Sequence, residues 1–312
     1  MSSISLIRCA RTVVRAAILT LSLIVLLHGV SYSCACGCNV FAVGPRWMMA
    51  TTTGTVLSLQ YNYMNQYQNW SGTGTISPDL NSDKQIRTNF YTLGFQSMLN
   101  REWGIMGEVP MWTRYFETID DDGNLASVTH TAIGDVRLLG MYTGLSEDMS
   151  TAVMFGIKLP TGPMDLSLMD RDTQIGTGTT DALLGAYQMG QEEGWGWFAQ
   201  FMWMHALNTR DEYRPGDGLD ITVAAHYDGL IKDYHLVPMM QLIGSFRGSD
   251  SGSNAEPDNS GYQRLFLAPG LEVNAMGSLR MYLDVRIPLV THVTGVQLVA
   301  PYLTNLTLSL GV

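Results

Sequence analysis

The stretch LRMYLDVRI, at residues 279–287, changes between apolar and polar side chains at nearly every step. Successive side chains of an extended strand point to opposite faces, so a period of two sorts this stretch into two faces. Leu279, Met281 and Leu283 fall on one face, while Arg280 and Asp284 fall on the other. The stretch therefore predicts a β-strand with an apolar face and a charged face.

The same period recurs along the chain, for example in LSLQYNY at 57–63, VMFGIKL at 153–159 and LTLSL at 306–310. It defines twelve segments: 54–70, 85–99, 102–117, 127–143, 150–160, 175–190, 195–207, 217–229, 234–247, 261–273, 278–289 and 301–312. Each has the length of roughly 9 to 11 residues or more that a tilted membrane strand needs. An even number of such strands closes an antiparallel barrel without exposed edges.

The connections between these segments alternate in length. The short ones are 100–101, 144–149, 191–194, 230–233 and 274–277, and the longer ones are 71–84, 118–126, 161–174, 208–216, 248–260 and 290–300. Short periplasmic turns and longer extracellular loops are typical of outer-membrane barrels. The sequence thus predicts an all-β protein: a transmembrane antiparallel β-barrel of about 12 strands in the outer membrane of a Gram-negative cell.

Composition excludes several other classes. The 312 residues are 46% hydrophobic and only 15% charged, which does not fit a disordered chain. Past residue 40 no apolar run reaches the roughly 18 residues of a membrane helix. The formal charge of −10 argues against nucleic-acid binding, which usually requires a basic surface.

The amino-terminal segment has the pattern of an export signal. Arg8, Arg11 and Arg15 precede an apolar region at 16–27, and the small residues Ser31 and Ser33 suit cleavage after residue 33. We therefore predict a signal peptide at 1–33, a Cys-containing extension at 34–53 and the barrel at 54–312. Without the signal, 15 basic residues face 28 acidic ones, so the mature charge is −13.

Three cysteines, Cys34, Cys36 and Cys38, form a C-x-C-x-C pattern in the extension. In an exported protein such a group is consistent with a disulfide plus one thiol, with lipidation of Cys34, or with binding of a soft metal ion. The sequence leaves these alternatives open. We name the three cysteines as candidate metal ligands.

Charged residues opposite the apolar faces are expected to point into the barrel, because Arg or Lys facing lipid at the midplane costs about 2 to 4 kcal/mol. The predicted lumen-lining residues of the transport path are Arg137, Lys158, Arg280, Asp284 and Arg286. A weaker pattern adds Glu108, Asp220, His226, His235, Gln241 and Glu272. Tryptophans near segment ends, such as Trp103, Trp112 and Trp195, suit the membrane interface.

Three central motifs carry a resemblance. They are AIGDV at 132–136, GIKLPTG at 156–162 and QIGTGTTD at 174–181. In order and spacing they resemble the outer-membrane transporter family associated with the phenol meta-cleavage pathway. The resemblance implies a porin-like barrel with a transport function, and it brings no catalytic residues. Val312 departs from the terminal aromatic residue that is usual in such barrels.

Enzyme motifs are weak in this sequence. The six histidines, at 28, 130, 205, 226, 235 and 292, show no metal-ligand spacing, and none of them forms a convincing Ser/His pairing. Gly176-Thr177-Gly178 lacks the third glycine and the helix of a dinucleotide site. The acidic run 120–124 lacks the closing Glu of an EF-hand loop, which favours a solvated loop. We predict no enzymatic activity and no cofactor.

The predicted function is that of an outer-membrane channel or transporter for small molecules, hydrophobic or aromatic ones among them. The alternative is a plugged barrel with a binding or structural role, in which the cysteine cluster binds a metal or a partner. The expected partners are outer-membrane lipid and a small-molecule solute, without nucleic acid. Twelve strands lie between the filled 8-stranded barrels and the open pores of 16 to 18 strands, so strand number does not decide whether the lumen is open.

Overall fold

A computed structural model describes residues 53–120, 122–228, 236–276 and 278–312. The predicted signal peptide and the cysteine-containing extension with Cys34, Cys36 and Cys38 lie outside the described residues, as does His235. The strands are β1 (Gly54–Gln66), β2 (Gln68–Gly72), β3 (Gly74–Thr75), β4 (Asp83–Met98), β5 (Trp103–Ile119), β6 (Leu125–Ile133), β7 (Val136–Tyr142), β8 (Thr151–Leu159), β9 (Asp181–Glu192), β10 (Trp195–Ala206), β11 (Gly218–Tyr227), β12 (Leu236–Arg247), β13 (Tyr262–Met276), β14 (Leu279–Val299) and β15 (Leu303–Gly311). Short 3₁₀ turns occur at Pro78–Leu80 and Pro257–Asn259.

Twelve strand positions close into an antiparallel barrel. Their order is β1-β4-β5-β7-β8-β9-β10-β11-β12-β13-β14-β15, and β15 pairs back with β1 from Val56↔Gly311 to Met64↔Leu303. Closure pairs the backbone groups of every strand within the sheet, which a membrane requires. The predicted fold class is confirmed. No helix in the described part of the chain has the length and apolar character needed to cross a membrane.

The outer wall carries an apolar belt. On β14, Met281, Leu283 and Ile287 are 39%, 49% and 45% exposed, whereas Asp284 and Arg286 are 1% and 2% exposed. The alternation that predicts the strand therefore separates a lipid face from an interior face. A closed barrel with such a belt is the structure of an outer-membrane protein.

Aromatic residues mark the end of the barrel with the short turns. Trp103 at the start of β5 packs on Tyr142 at the end of β7, and Trp195 at the start of β10 packs on Tyr227 at the end of β11, each with ring centroids 4.8 Å apart. Outward aromatic rings at this level suit a membrane interface. Trp112, by contrast, packs against an interior cluster.

The structure corrects two of the predicted segments near the extracellular side. Segment 127–143 is interrupted, because Gly134 and Asp135 separate β6 from β7, and β5 pairs with each in turn. Segment 175–190 begins as a loop, since β9 starts only at Asp181. Both interruptions occur where loop residues bind Asp135, whose carboxylate accepts the N–H of Gly162 at 3.0 Å and that of Thr177 at 3.1 Å.

The last predicted loop, 290–300, is also corrected. Pro288 has no N–H to donate, and a register shift near it lets Phe266 pair with Pro288 and Leu265 with Val290. β14 then continues to Val299 and pairs with β2. The proline therefore produces a bulge instead of a strand end, and the final connection shrinks to 300–302.

Candidate functional site: the barrel interior

The interior of the barrel contains three apolar clusters at different levels, which lie among buried polar and charged side chains. The cluster nearest the extracellular end, the mouth layer, consists of Ile86, Phe116, Met169 and Leu298, with Val128 and Leu166 against it. The middle layer consists of Met64, Phe90, Ile243, Tyr262, Phe266, Ala268, Val293, Val299, Ala300 and Leu303, with Trp70 and Trp112 against it. The third, toward the short turns, is rich in methionine and is called here the methionine layer.

The methionine layer contains nine of the 19 methionines. Six are buried and three are partly buried: Met98, Met106, Met141, Met149, Met154 and Met239, then Met189, Met202 and Met204. Leu139, Leu183, Tyr187, Phe198 and Tyr282 complete it together with Ala152 and Ala224. Unbranched thioether side chains adapt to irregular shapes and make favourable contacts with aromatic rings. This layer therefore offers a deformable apolar lining, which the strand pattern did not predict.

The connection between β8 and β9, residues 160–180, crosses the extracellular opening and is called here the mouth loop. Its Leu166 and Met169 pack against Ile86 of β4, Phe116 of β5 and Leu298 of β14. β14 stands six positions from β8 in either direction around the twelve-position barrel. The loop thus reaches from one wall to the opposite wall.

Arg114 anchors the mouth loop from the wall. Its side chain is fully buried, its Nε donates to Thr88 Oγ1 at 2.9 Å, and its Nη1 donates to the carbonyl oxygens of Gln174, at 3.3 Å, and Thr173. Sequence reasoning missed this residue. The inward face of β5 at this level also carries Trp112 and Phe116, so no alternation of charge and apolarity marks the arginine.

The three motifs of the resemblance meet at a buried ion cluster. Lys158 Nζ lies 2.9 Å from Asp135 Oδ2 and 2.9 Å from Asp181 Oδ2, and all three side chains are 7% exposed or less. Thr177 Oγ1 donates to Asp135 Oδ2 at 2.9 Å, and Thr179 Oγ1 donates to Asp181 Oδ1 at 2.6 Å. The motifs therefore tie β7, β8 and β9 to the mouth loop.

Glycine is required where two parts of the mouth loop touch. A Cβ placed on Gly176 would lie 2.2 Å from the carbonyl oxygen of Gly162, closer than any real side chain can approach. The Gly176 N–H also donates to the Pro163 carbonyl at 2.7 Å. The glycines of the second and third motifs thus permit close backbone contact.

The other predicted lumen residues lie on the interior face. Arg286 Nε donates to Asp284 Oδ1 at 3.1 Å, and Asn305 Nδ2 donates to Asp284 Oδ2 at 3.1 Å. Arg137 is 3.6 Å from Glu108, and Arg280 is half-buried opposite the buried Ser309. Asp220, His226, Gln241 and Glu272 are buried there as well.

Metal binding by the barrel has no geometric support in the described ranges. They contain no group of three or more His, Cys, Asp or Glu side chains arranged to hold an ion. The candidate ligands Cys34, Cys36 and Cys38 precede the described residues.

No protein-family model and no curated protein matches the sequence. Among solved structures, the COG4313 outer membrane channel from Pseudomonas putida F1 is similar at a TM-score of 0.67 and 13% identity, over 86% of this chain and all of that one. The β domain of the Bordetella autotransporter BrkA gives 0.47 at 10% identity, over 84% and 100% of the two chains. The Pseudomonas putida toluene transporter TodX gives 0.45 at 10% identity, over 91% and 95%.

The first of these similarities shows that the chain shares a barrel fold with an outer-membrane channel. TM-scores below 0.5, by contrast, do not establish a common fold. None of these proteins is described in terms of phenol meta-cleavage, so that part of the resemblance stays a prediction.

Proposed function

We propose that this protein is an outer-membrane channel for small apolar solutes, aromatic ones among them, and that it acts without catalysis. One observation carries the proposal: apolar clusters lie inside the barrel at each level from the mouth layer to the methionine layer, beside buried polar and charged side chains. A barrel that conducts hydrophilic solutes has a polar, water-filled interior. The solved channel from Pseudomonas putida F1 that has the same fold supports a channel role.

Passage through such an interior is an exchange of contacts. An apolar solute replaces side-chain neighbours one at a time, and each buried CH₂ group contributes about 0.8 kcal/mol relative to water. The methionine layer suits this exchange because thioether side chains change rotamer readily. Each contact of a thioether sulfur with an aromatic ring contributes about 0.3 to 1.5 kcal/mol. The solute therefore moves only as the layers and the mouth loop deform around it.

The charged interior residues fit the same proposal. Arg137, Lys158, Asp284 and Arg286 each have an oppositely charged neighbour, so they present paired charges to the path. Arg280 lies on β14 with Asp284 and Arg286, on the wall opposite Lys158 of β8. We propose that these five residues line the path without selecting a solute by its charge. They hold the wall strands in place, while the apolar layers contact the solute.

Uptake by whole cells tests the proposal, because the lipopolysaccharide leaflet slows the entry of apolar solutes. Cells that carry the protein should take up labelled toluene several-fold faster than cells without it. Replacing the buried Ala224 of the methionine layer with Trp should abolish the gain. The same change at its outward neighbour Val223, which is 42% exposed, is the matched control and should keep it.

Assembly of both variants is checked by the shift in electrophoretic mobility on heating. An assembled parent protein that gives no gain in uptake would overturn the proposal. Equal uptake by Ala224→Trp and Val223→Trp would also overturn it, since the solute would then bypass the interior. Binding of toluene to the purified protein without uptake would favour the plugged barrel with a binding role.

A further inference from the structure

Arg264 is a buried cation without an acceptor for one edge of its guanidinium. It lies on the inward face of β13 and is 2% exposed, and its Nε and Nη2 atoms are buried without a hydrogen-bond partner among the described residues. Other buried arginines differ: Arg114 donates to carbonyl oxygens and Arg286 to Asp284. A buried donor without an acceptor is rare in folded proteins and calls for an explanation.

The neighbouring carboxylate is already occupied. Asp220, Ser245 and Arg264 face one another across β11, β12 and β13. Asp220 Oδ2 accepts Nη2 of Arg247 at 2.7 Å, and its Oδ1 accepts Ser245 Oγ at 2.6 Å. The Asp220 carboxylate therefore pairs with Arg247 and not with Arg264. Both guanidiniums lie near the Tyr262 ring, at 4.3 Å from its centroid for Arg264 and 5.9 Å for Arg247. Together, Asp220, Arg247 and Arg264 carry one net positive charge.

The unpaired edge has a defined chemistry. Nε and Nη2 form one edge of the planar guanidinium group, and an N–H bond of each points outward from that edge in parallel. Two parallel N–H donors match the two oxygens of a carboxylate, which is the bidentate geometry that distinguishes Arg from Lys. A neutral solute satisfies at most part of this edge.

The surroundings specify the rest of the ligand. Ile243 and Phe266 form the next inward row below Ser245 and Arg264, and both belong to the middle layer. Tyr262 packs over the guanidinium from the other side. A ligand whose carboxylate reaches Arg264 therefore has its body among apolar and aromatic side chains.

We propose that Arg264 binds the carboxylate of a small amphipathic acid, such as an aromatic acid, whose apolar body occupies the middle layer. The site rests on the proposed function, because the acid enters by the same displacement of interior side chains. It extends the solute range of the channel from neutral hydrocarbons to their carboxylates. Arg264 is then the residue that selects the anion.

Benzoate and toluene form a matched pair of probes, because benzoate carries a carboxylate where toluene carries a methyl group. Binding to the purified, detergent-solubilised protein is followed by tryptophan fluorescence, because Trp70 and Trp112 pack against the middle layer, and by calorimetry. Arg264→Gln should weaken benzoate binding at least tenfold and change toluene binding less than twofold. Arg264→Lys keeps the charge but loses the parallel donors, so it should weaken benzoate to an intermediate degree. Arg87→Gln, on the exposed face of β4, is the control.

The outcomes separate the site from the channel. Toluene binding to the parent without benzoate binding overturns the Arg264 site and leaves the channel standing. Unchanged benzoate affinity in both Arg264 variants also overturns the site. Absence of both binding and uptake for both probes defeats the proposed function itself. Arg264→Gln removes an unpaired buried charge and should not lower the melting temperature, so a clear drop in this variant would show a structural partner and overturn the site.

Discussion

At the scale of single residues, Lys158 is the cation of the buried cluster at the mouth-loop end of β8. It is buried between Asp135 and Asp181, so its removal leaves two carboxylates facing each other without a counter-charge. Breaking a buried ion pair by removing one partner costs about 3 to 5 kcal/mol. We expect Lys158→Met to lower the free energy of unfolding by that amount, measured by urea titration of protein refolded into phospholipid vesicles at neutral pH.

The control for this change is Arg137→Met. Arg137 and Glu108 form a longer and more accessible ion pair, at 3.6 Å, so its loss should cost about 1 kcal/mol or less. Converting Asp135 and Asp181 to Asn in the Lys158→Met background should restore most of the stability, because no buried charge then remains. Equal losses from Lys158→Met and Arg137→Met would contradict this account of the cluster.

At the scale of elements, the mouth loop brings carboxyl groups together outside the bilayer, where Asp83 and Asp172 are half-buried. Burial raises the pKa of Asp172 well above its ordinary value, with further contributions from Asp250 and Asp170. Burial raises the pKa of Asp83 to about 6, and the Asp170 carboxylate adds to the shift. Asp83 is the first residue of β4 and lies about 26 Å along the strand from the outward-facing Tyr91. Asp83 is therefore outside the apolar belt.

The sign of the pH effect follows from these raised pKa values. With the mouth loop docked, Asp83 keeps its proton up to about pH 6, whereas with the loop released it loses the proton near its ordinary pKa of 3.8. Docking is therefore most favourable at low pH and weakens as the pH rises through about 6. Amide hydrogen exchange of 165–176, corrected for the intrinsic rate, should therefore be faster at pH 7 than at pH 5. Each group contributes at most about tenfold per pH unit.

Asp83→Asn separates this mechanism from a general loosening of the barrel. The variant keeps a neutral side chain at every pH, so the exchange difference between pH 5 and pH 7 should shrink. Asp148→Asn, in the turn between β7 and β8 at the other end of the barrel, should leave the difference unchanged. A protection pattern that strengthens with rising pH would refute the assigned direction.

At the scale of the whole molecule, stability comes from closure. β1 pairs with both β15 and β4, so no strand edge stays open along the circuit. We expect an assembled protein that migrates faster on electrophoresis unheated than heated. Deleting 303–312 removes β15 and should abolish this shift, because β1 and β14 then expose unpaired edges in lipid. Deleting 253–256 shortens only an extracellular loop and should preserve it.

Recovery of the unaltered protein in the soluble periplasmic fraction would contradict the barrel assignment. Assembly of the 303–312 deletion with the parent's heat-dependent mobility would contradict the role of closure. The two results are independent, because the first concerns the compartment and the second concerns the pairing that holds the molecule together.

The alternation of side chains by itself determined the barrel. A strand between lipid and a lumen must place apolar residues on one face. The alternation in residues 279–287, 57–63 and 153–159 therefore predicts strands of the barrel wall from the sequence alone. The alternating lengths of the connections determined its orientation. Alternation also placed Lys158, Asp284 and Arg286 on the inner face, because charge on the outer face is costly in lipid.

Only the tertiary structure decided what fills the lumen. Arg114 contacts Gln174, Lys158 contacts Asp135 and Asp181, and the mouth loop reaches β14 across the barrel. These partners are separated along the chain and come together through strand register and closure, which a local period of two does not encode. The same holds for Arg264: its inward face follows from alternation, but its lack of a partner depends on how Asp220, Ser245 and Arg247 are arranged around it.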